Sequence, residues 1–201
     1  DYIAGFPPHP HRGIETVTYM LAGDFEHKDS TGGEGRMTAG DVQWMKTGSG
    51  IIHSEMPAMK EGKLHGFQLW INMPAKLKMS KPDYIYIDSD TMSLHKDEDK
   101  QIKVIAGKFE KTEGAVTEHN VDPIYFDIEL VKDKSTKEPM SAIPGAVKLI
   151  RDQIADRGML TRVGREVFIT PPLLVTKDDI DEIVDIVEGS IAHTEKELGL
   201  S

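Results

Sequence analysis

Over residues 5–130 the chain is a succession of short runs rich in β-branched and aromatic residues, each cut off by a turn signal after roughly 8–12 residues. Residues 15–21 (ETVTYML) end at Ala22, Gly23 and Asp24, and residues 25–28 lead into a loop holding Gly32, Gly33 and Gly35. Residues 38–41 turn into 42–45 (VQWM), and Gly48, Ser49 and Gly50 turn into 51–55 (IIHSE). Residues 66–72, 84–88, 102–106 and 124–130 continue the series. Runs this short bury an apolar face only by pairing and layering, so the pattern predicts a mainly β fold, a sandwich or barrel.

The pattern breaks after Leu130. Residues 131–143 include a polar, charged stretch ending at Pro139 and read as a linker. Beyond it the period becomes helical. Pro144 suits a first helical turn, Gly158 suits a helix end, and Val147, Leu149, Ile150 and Ile154 lie mostly on one face between them. Two short runs, 160–163 and 167–170, precede Pro171 and Pro172. A capping-box-like start at 176–179 then opens a helix of roughly 20 residues whose apolar stripe is Ile180, Ile183, Val184, Val187 and Ile191. Residues 144–201 therefore read as a small α+β unit.

Composition removes several functions. No run approaches the roughly 18 apolar residues that span a bilayer, and the N-terminus lacks a signal pattern. The formal net charge is −10, and the densest basic stretch, 76–81, holds only Lys76, Lys78 and Lys81, which argues against direct nucleic-acid or membrane binding. The absence of cysteine excludes disulfides, thiolate metal sites and cysteine nucleophiles, and it fits a cytoplasmic protein. The chain opens on Asp1, so its natural start is read as removed or not captured.

Two pairs carry the chemistry: His9 with His11, and His53 with Glu55, each spaced i, i+2. On a strand that spacing puts both side chains on one face. Two such strands facing across a barrel interior bring three imidazoles and a carboxylate to one point. Those donors suit a divalent first-row ion such as iron, copper, nickel or manganese, and four protein ligands on an octahedral ion leave two open positions for chemistry. On spacing alone, surface or hydrogen-bonded core residues are an equal alternative. His27 reads as a hairpin residue and His65 as a candidate outer-shell donor; His95, His119 and His193 need no function, and Trp44 and Trp70 read as core.

Residues 5–19 (GFPPHPHRGIETVTY) resemble the first metal-binding motif of the pirin family. Residues 40–45 (GDVQWM) and 48–57 (GSGIIHSEMP) resemble the second, and 65–76 (HGFQLWINMPAK) the strand that follows. The resemblance covers residues 1–130 and implies a cupin barrel, a double-stranded β-helix, here truncated because the strands ahead of the first motif are absent. It also implies a single iron held by His9, His11, His53 and Glu55, with zinc added to the ions the site could take. Some pirins oxidatively open the flavonol quercetin, which would make Glu55 both ligand and proton acceptor and place apolar and aromatic side chains around the substrate. Others act as iron-dependent regulators through protein partners, and the same four ligands serve either class.

Residues 157–161 (RGMLT), 169–176 (ITPPLLVT) and the helix after them resemble the C-terminal tail of class III pyridoxal-phosphate aminotransferases. The cofactor lysine of such an enzyme has no counterpart here, and Phe168 stands where some members place a carboxylate-binding arginine. Neither pyridoxal phosphate nor transamination is expected. A third reading is a mosaic chain without activity, self-associating through an exposed barrel edge or the tail helix.

Overall fold

The computed structural model describes residues 5–98, 100–117, 120, 123–133, 138–139, 145–156, 162–163, 167–168 and 177–199. Among the described residues the protein is mainly β with two helices. Its strands are β1 (Phe6–His11), β2 (Ile14–Ala22), β3 (Phe25–Asp29), β4 (Glu34–Met37), β5 (Val42–Lys46), β6 (Ile51–Pro57), β7 (His65–Asn72), β8 (Asp83–Ile87), β9 (Leu94–Lys96), β10 (Lys100–Ala106), β11 (Lys108–Phe109), β12 (Thr112–Glu113), β13 (Tyr125–Asp133), β14 (Glu138–Pro139), β15 (Arg162–Val163) and β16 (Val167–Phe168). The helices are α1 (Ala146–Asp156) and α2 (Lys177–Glu197). Neither is long and apolar enough to cross a membrane. The chain divides into two compact units, Asp1–Leu94 with Lys103–Phe126, and His95–Ile102 with Asp127–Ser201.

The first unit holds two four-stranded antiparallel sheets, ordered β1-β6-β3-β4 and β7-β2-β5-β8. β2 is the hinge of the design. Its odd residues Val17 and Tyr19 join Val42, Trp44, Ile105, Ala106 and Val116 in the main core, with Phe67, Leu69 and Ile71 of β7 packed against them. Its even residues point to the first sheet, where Met20 packs with Phe25 of β3 and Met37 of β4. Both faces of β2 are covered, so Glu15 to Met20 are all buried and burial does not alternate along it. Buried Glu15 is satisfied by the Trp44 indole N–H (2.7 Å) and the Asn120 amide (3.0 Å).

β1 and β4, like β9, β11, β12 and β14, lie outside the runs of the sequence pattern. β1 carries Pro7, Pro8 and Pro10, which a strand tolerates at a sheet edge, and β1 is the edge of its sheet. β4 lies in the glycine-rich stretch: Gly35 pairs with His27, and a Cβ there would collide with the Tyr84 hydroxyl. Glycine is needed so that Tyr84 can reach past β4 to the neighbouring strand.

In the second unit α1 packs on α2, and Ala146, Ile150 and Ile154 are buried against Ile186, Val187 and Ile191. β15 and β16 form a short hairpin. The buried side of α2 is rotated from the expected stripe. Val184 is 45% exposed, whereas Ser190 and Thr194 are fully buried. Their hydroxyls return to the Ile186 and Ser190 carbonyls at 2.6 and 2.9 Å, so hydroxyls can occupy a packed face without an unsatisfied group. The Ile180 side chain, residues 157–161 and 169–176, and most of the expected linker lie outside those described.

Candidate metal centre

β1 and β6 carry the two i, i+2 pairs, and their register sets His9 opposite His53. The strands are hydrogen-bonded neighbours in one sheet. This corrects the expectation that they face each other across an interior: the pairs meet side by side, because register, rather than barrel closure, brings them together. Facing them from the second sheet are Thr18 of β2 and Gln68 of β7, joined to Glu55 through the Gln68 amide.

The three imidazoles converge. Ring centroids are 4.4 Å apart for His9 and His53, and 4.9 Å for both His9 and His11 and His11 and His53. His9 Nδ1 lies 2.8 Å from the Pro7 carbonyl, which can only accept, so Nδ1 carries the proton and Nε2 offers a lone pair. That Nε2 is 3.1 Å from Nε2 of His11. His53 Nε2 is buried and has no hydrogen-bond partner among the described residues. One ligand atom each from His9, His11 and His53 fits within 4.8 Å, as does one each from His27, His53 and Glu55; His53 belongs to both groups. Leaving a buried nitrogen unpaired costs roughly 1–3 kcal/mol. A divalent cation would satisfy it, and the donor set fits one.

Glu55 is almost wholly buried, and the Gln68 amide N–H donates to its two oxygens at 2.9 and 3.0 Å. The Gln68 carbonyl in turn accepts from the Trp70 indole N–H at 2.9 Å, which orients the amide. Trp70 stands edge-on to His11, ring centroids 5.0 Å apart, and is 60% exposed. The expectation that it is a core residue is therefore wrong. Gln68 and Trp70 share the site face of β7, while Phe67, Leu69 and Ile71 take the core face. Trp44 is buried in the core as expected.

His27 is the residue the sequence reading undervalued. It is fully buried on β3, beside β6, with its ring 5.3 Å from that of His53. Its Nε2 is 3.0 Å from Asp29 Oδ2, and its Nδ1 is 3.2 Å from the Gln43 amide nitrogen and 3.4 Å from His53 Nδ1. Tyr84 stacks on the ring at 4.7 Å and 19°. The signal was present: His27 and Asp29 form a third i, i+2 pair on a strand. His65 begins β7 with the parity of Phe67 and takes no part in the centre. His95 lies 3.3 Å from Asp97, His193 is on α2, and His119 is outside the described residues.

Burial sets the protonation of the cluster. It pushes the His53 imidazole down to about 3, with His9, His27 and His11 adding repulsion, so the ring is neutral and its 4.0 Å approach to Glu55 is not an ion pair. Burial, and then His9, also lowers His11. His27 is lowered by burial against the opposing pull of Asp29. Burial raises Glu55 above the usual carboxylate range, with the Gln68 hydrogen bonds and His9 offsetting part of it. Burial pushes Asp29 up too, but donors from Thr31, His27 and Gly33 outweigh it and hold the carboxyl low.

A family model for Pirin matches residues 1–71. A protein of Thermoplasma acidophilum named "Putative quercetin 2,3-dioxygenase Ta0133" is 35% identical over 198 residues, an alignment covering 84% of this chain and 76% of that protein. The chain belongs to the pirin family. A "Pirin-like protein" of Caulobacter vibrioides is 49% identical over 142 residues, 70% of this chain and 51% of that one. The chain spans about half the length of several such curated relatives. Among solved structures, GK1651 from Geobacillus kaustophilus superposes with a TM-score of 0.60 at 38% identity, covering 64% of this chain and 51% of that one. Quercetin 2,3-dioxygenase from Acinetobacter baumannii does so with 0.59 at 36% identity, covering 63% and 46%. The pirin-family likeness thus includes the segment carrying His9, His11, His53 and Glu55.

Proposed function

We propose that His9, His11, His53 and Glu55 hold one divalent first-row ion on a cupin-type β fold, and that this centre serves the 2,3-dioxygenation of a flavonol such as quercetin. The observation that carries the reading is the buried, unpartnered Nε2 of His53 beside the mutually facing Nε2 atoms of His9 and His11. The names of the Thermoplasma relative and the Acinetobacter structure support the substrate class. Iron is the proposed ion; copper, nickel, manganese and zinc suit the same donors. When bound, iron would supply a Lewis acid for the flavonol oxygen and a redox partner for dioxygen.

The protein's own groups do the rest. Glu55, its proton affinity raised by burial, accepts the proton of the flavonol 3-hydroxyl, and the Gln68 amide steadies the carboxylate until then. The exposed indole of Trp70 offers a flat wall for a planar aromatic next to His11. Metal analysis of the purified protein, followed by quercetin depletion and oxygen uptake in the iron-loaded form, tests the reading. About one bound metal per chain with turnover is expected. Metal without turnover would replace the enzyme by a regulatory module, and a metal-free protein that takes up no ion would end both.

A further inference from the structure

The structure assigns to the buried pair Asp29–His27 the role of setting the tautomer of His53, so that its Nε2 is delivered as a lone pair to the metal; this rests on the metal-centre reading above. The relay begins at Asp29. Its Oδ1 accepts from the Thr31 amide (2.7 Å), the Thr31 hydroxyl (2.6 Å) and the Gly33 amide (3.1 Å), which leaves Oδ2 for His27 Nε2 at 3.0 Å. A carboxylate only accepts, so His27 Nε2 carries the proton. Nδ1 of His27 must then be an acceptor, because Gln43 directs its amide N–H at it. The Gln43 orientation is set in turn by the Tyr84 hydroxyl, which donates to Gln43 Oε1 at 3.3 Å.

The second group near that acceptor is His53 Nδ1, at 3.4 Å. Facing a lone pair, His53 keeps its proton on Nδ1, and Nε2, buried and unpartnered among the described residues, is left with its lone pair free. Register supports the device: Asp29 lies opposite His53 and His27 opposite Glu55, so the β3 pair stands directly beside β6, within reach of His53. Gly35 and Tyr84 close the relay, since only a residue without a Cβ lets the phenol stack on His27. An outer-shell partner of a metal-bound histidine commonly supports affinity 10–100-fold, and here a histidine stands between the carboxylate and the ligand. His27 is thus a positioning residue.

The test uses Zn2+ as a diamagnetic probe and 15N-histidine NMR on the full chain. In the metal-free wild type, His53 should show a protonated Nδ1 and a bare Nε2. On zinc binding, His53 Nε2 should shift while both His27 nitrogens keep their character. His27→Leu should lose about 10–100-fold in zinc affinity and mix the His53 tautomers, and His27→Gln, whose amide oxygen can accept from Nδ1, should restore most of both. A bare Nδ1 on His53 in the wild type would overturn the assignment, as would zinc coordination by His27 or wild-type affinity in His27→Leu. The wild-type spectra decide the tautomer even if His27→Leu fails to fold. A wild type that binds no zinc would sink the metal-centre reading instead, with the tautomer still read from the metal-free spectrum.

Discussion

The metal face of β1, β6 and β3 and the helix pair α1 and α2 both bury polar side chains, but they treat them differently. Ser190 and Thr194 are fully buried on α2, and each hydroxyl is satisfied by a carbonyl one turn back along its own helix. His53 is as deeply buried, yet its Nε2 has no partner among the described residues, and the rings of His9 and His11 crowd the imidazole without hydrogen-bonding that nitrogen. The difference separates packing from function. A buried group that is fully paired contributes to the fold, whereas one left open beside like groups is the observation on which the proposed metal centre rests.

The sharpest way to break that comparison is at Glu55. Glu55→Gln keeps an oxygen near the metal but cannot take the substrate proton, so quercetin turnover should fall by about 10²–10⁴ while metal content changes far less. Equal losses of both would make Glu55 a ligand only. Next in size, His53→Ala should weaken metal binding more than about 100-fold, beyond the range of an outer-shell change, as read by chelator competition. Retained affinity there would mean that the open nitrogen marks no site.

On the other side of the comparison, Ile154→Ala should destabilise the helical unit by about 2–5 kcal/mol in denaturant unfolding and leave metal affinity unchanged. Acid should act on the metal face in the same range. The folded-state pKa of His53 is depressed from 6.5 to about 3, so the unfolded chain binds the proton first. Stability of the metal-free protein is then fully present above pH 6.5 and declines as pH falls toward 3, with His11 and His27 adding in the same direction. Bound metal should move that decline to lower pH; a flat profile in both forms would argue against a buried neutral cluster. Smallest of all, Ser190→Ala should change stability by no more than about 1 kcal/mol, because the Ile186 carbonyl it leaves still sits within a helix. A large loss there would show that the two kinds of buried polar group are less different than they look.

Residue order alone was enough for the mainly β character, for β2, β3, β5 to β8, β10, β13, β15 and β16, for both helices, and for singling out the i, i+2 pairs His9/His11 and His53/Glu55 as candidates. Those features depend on local periodicity and spacing, which a strand or helix turns directly into a shared face. The tertiary structure decided what periodicity cannot encode. It paired β1 with β6 in one sheet, brought His27 and Asp29 from β3 beside His53, turned Gln68 toward Glu55 and Trp70 toward Gln68 and His11, and left His65 out of the centre. It also rotated the buried side of α2 away from Val184 and onto Ser190 and Thr194. The reason is common to all of these. Which strand lies beside which, and how far a helix rolls, follow from contacts between residues far apart in the chain, and no local pattern carries that information.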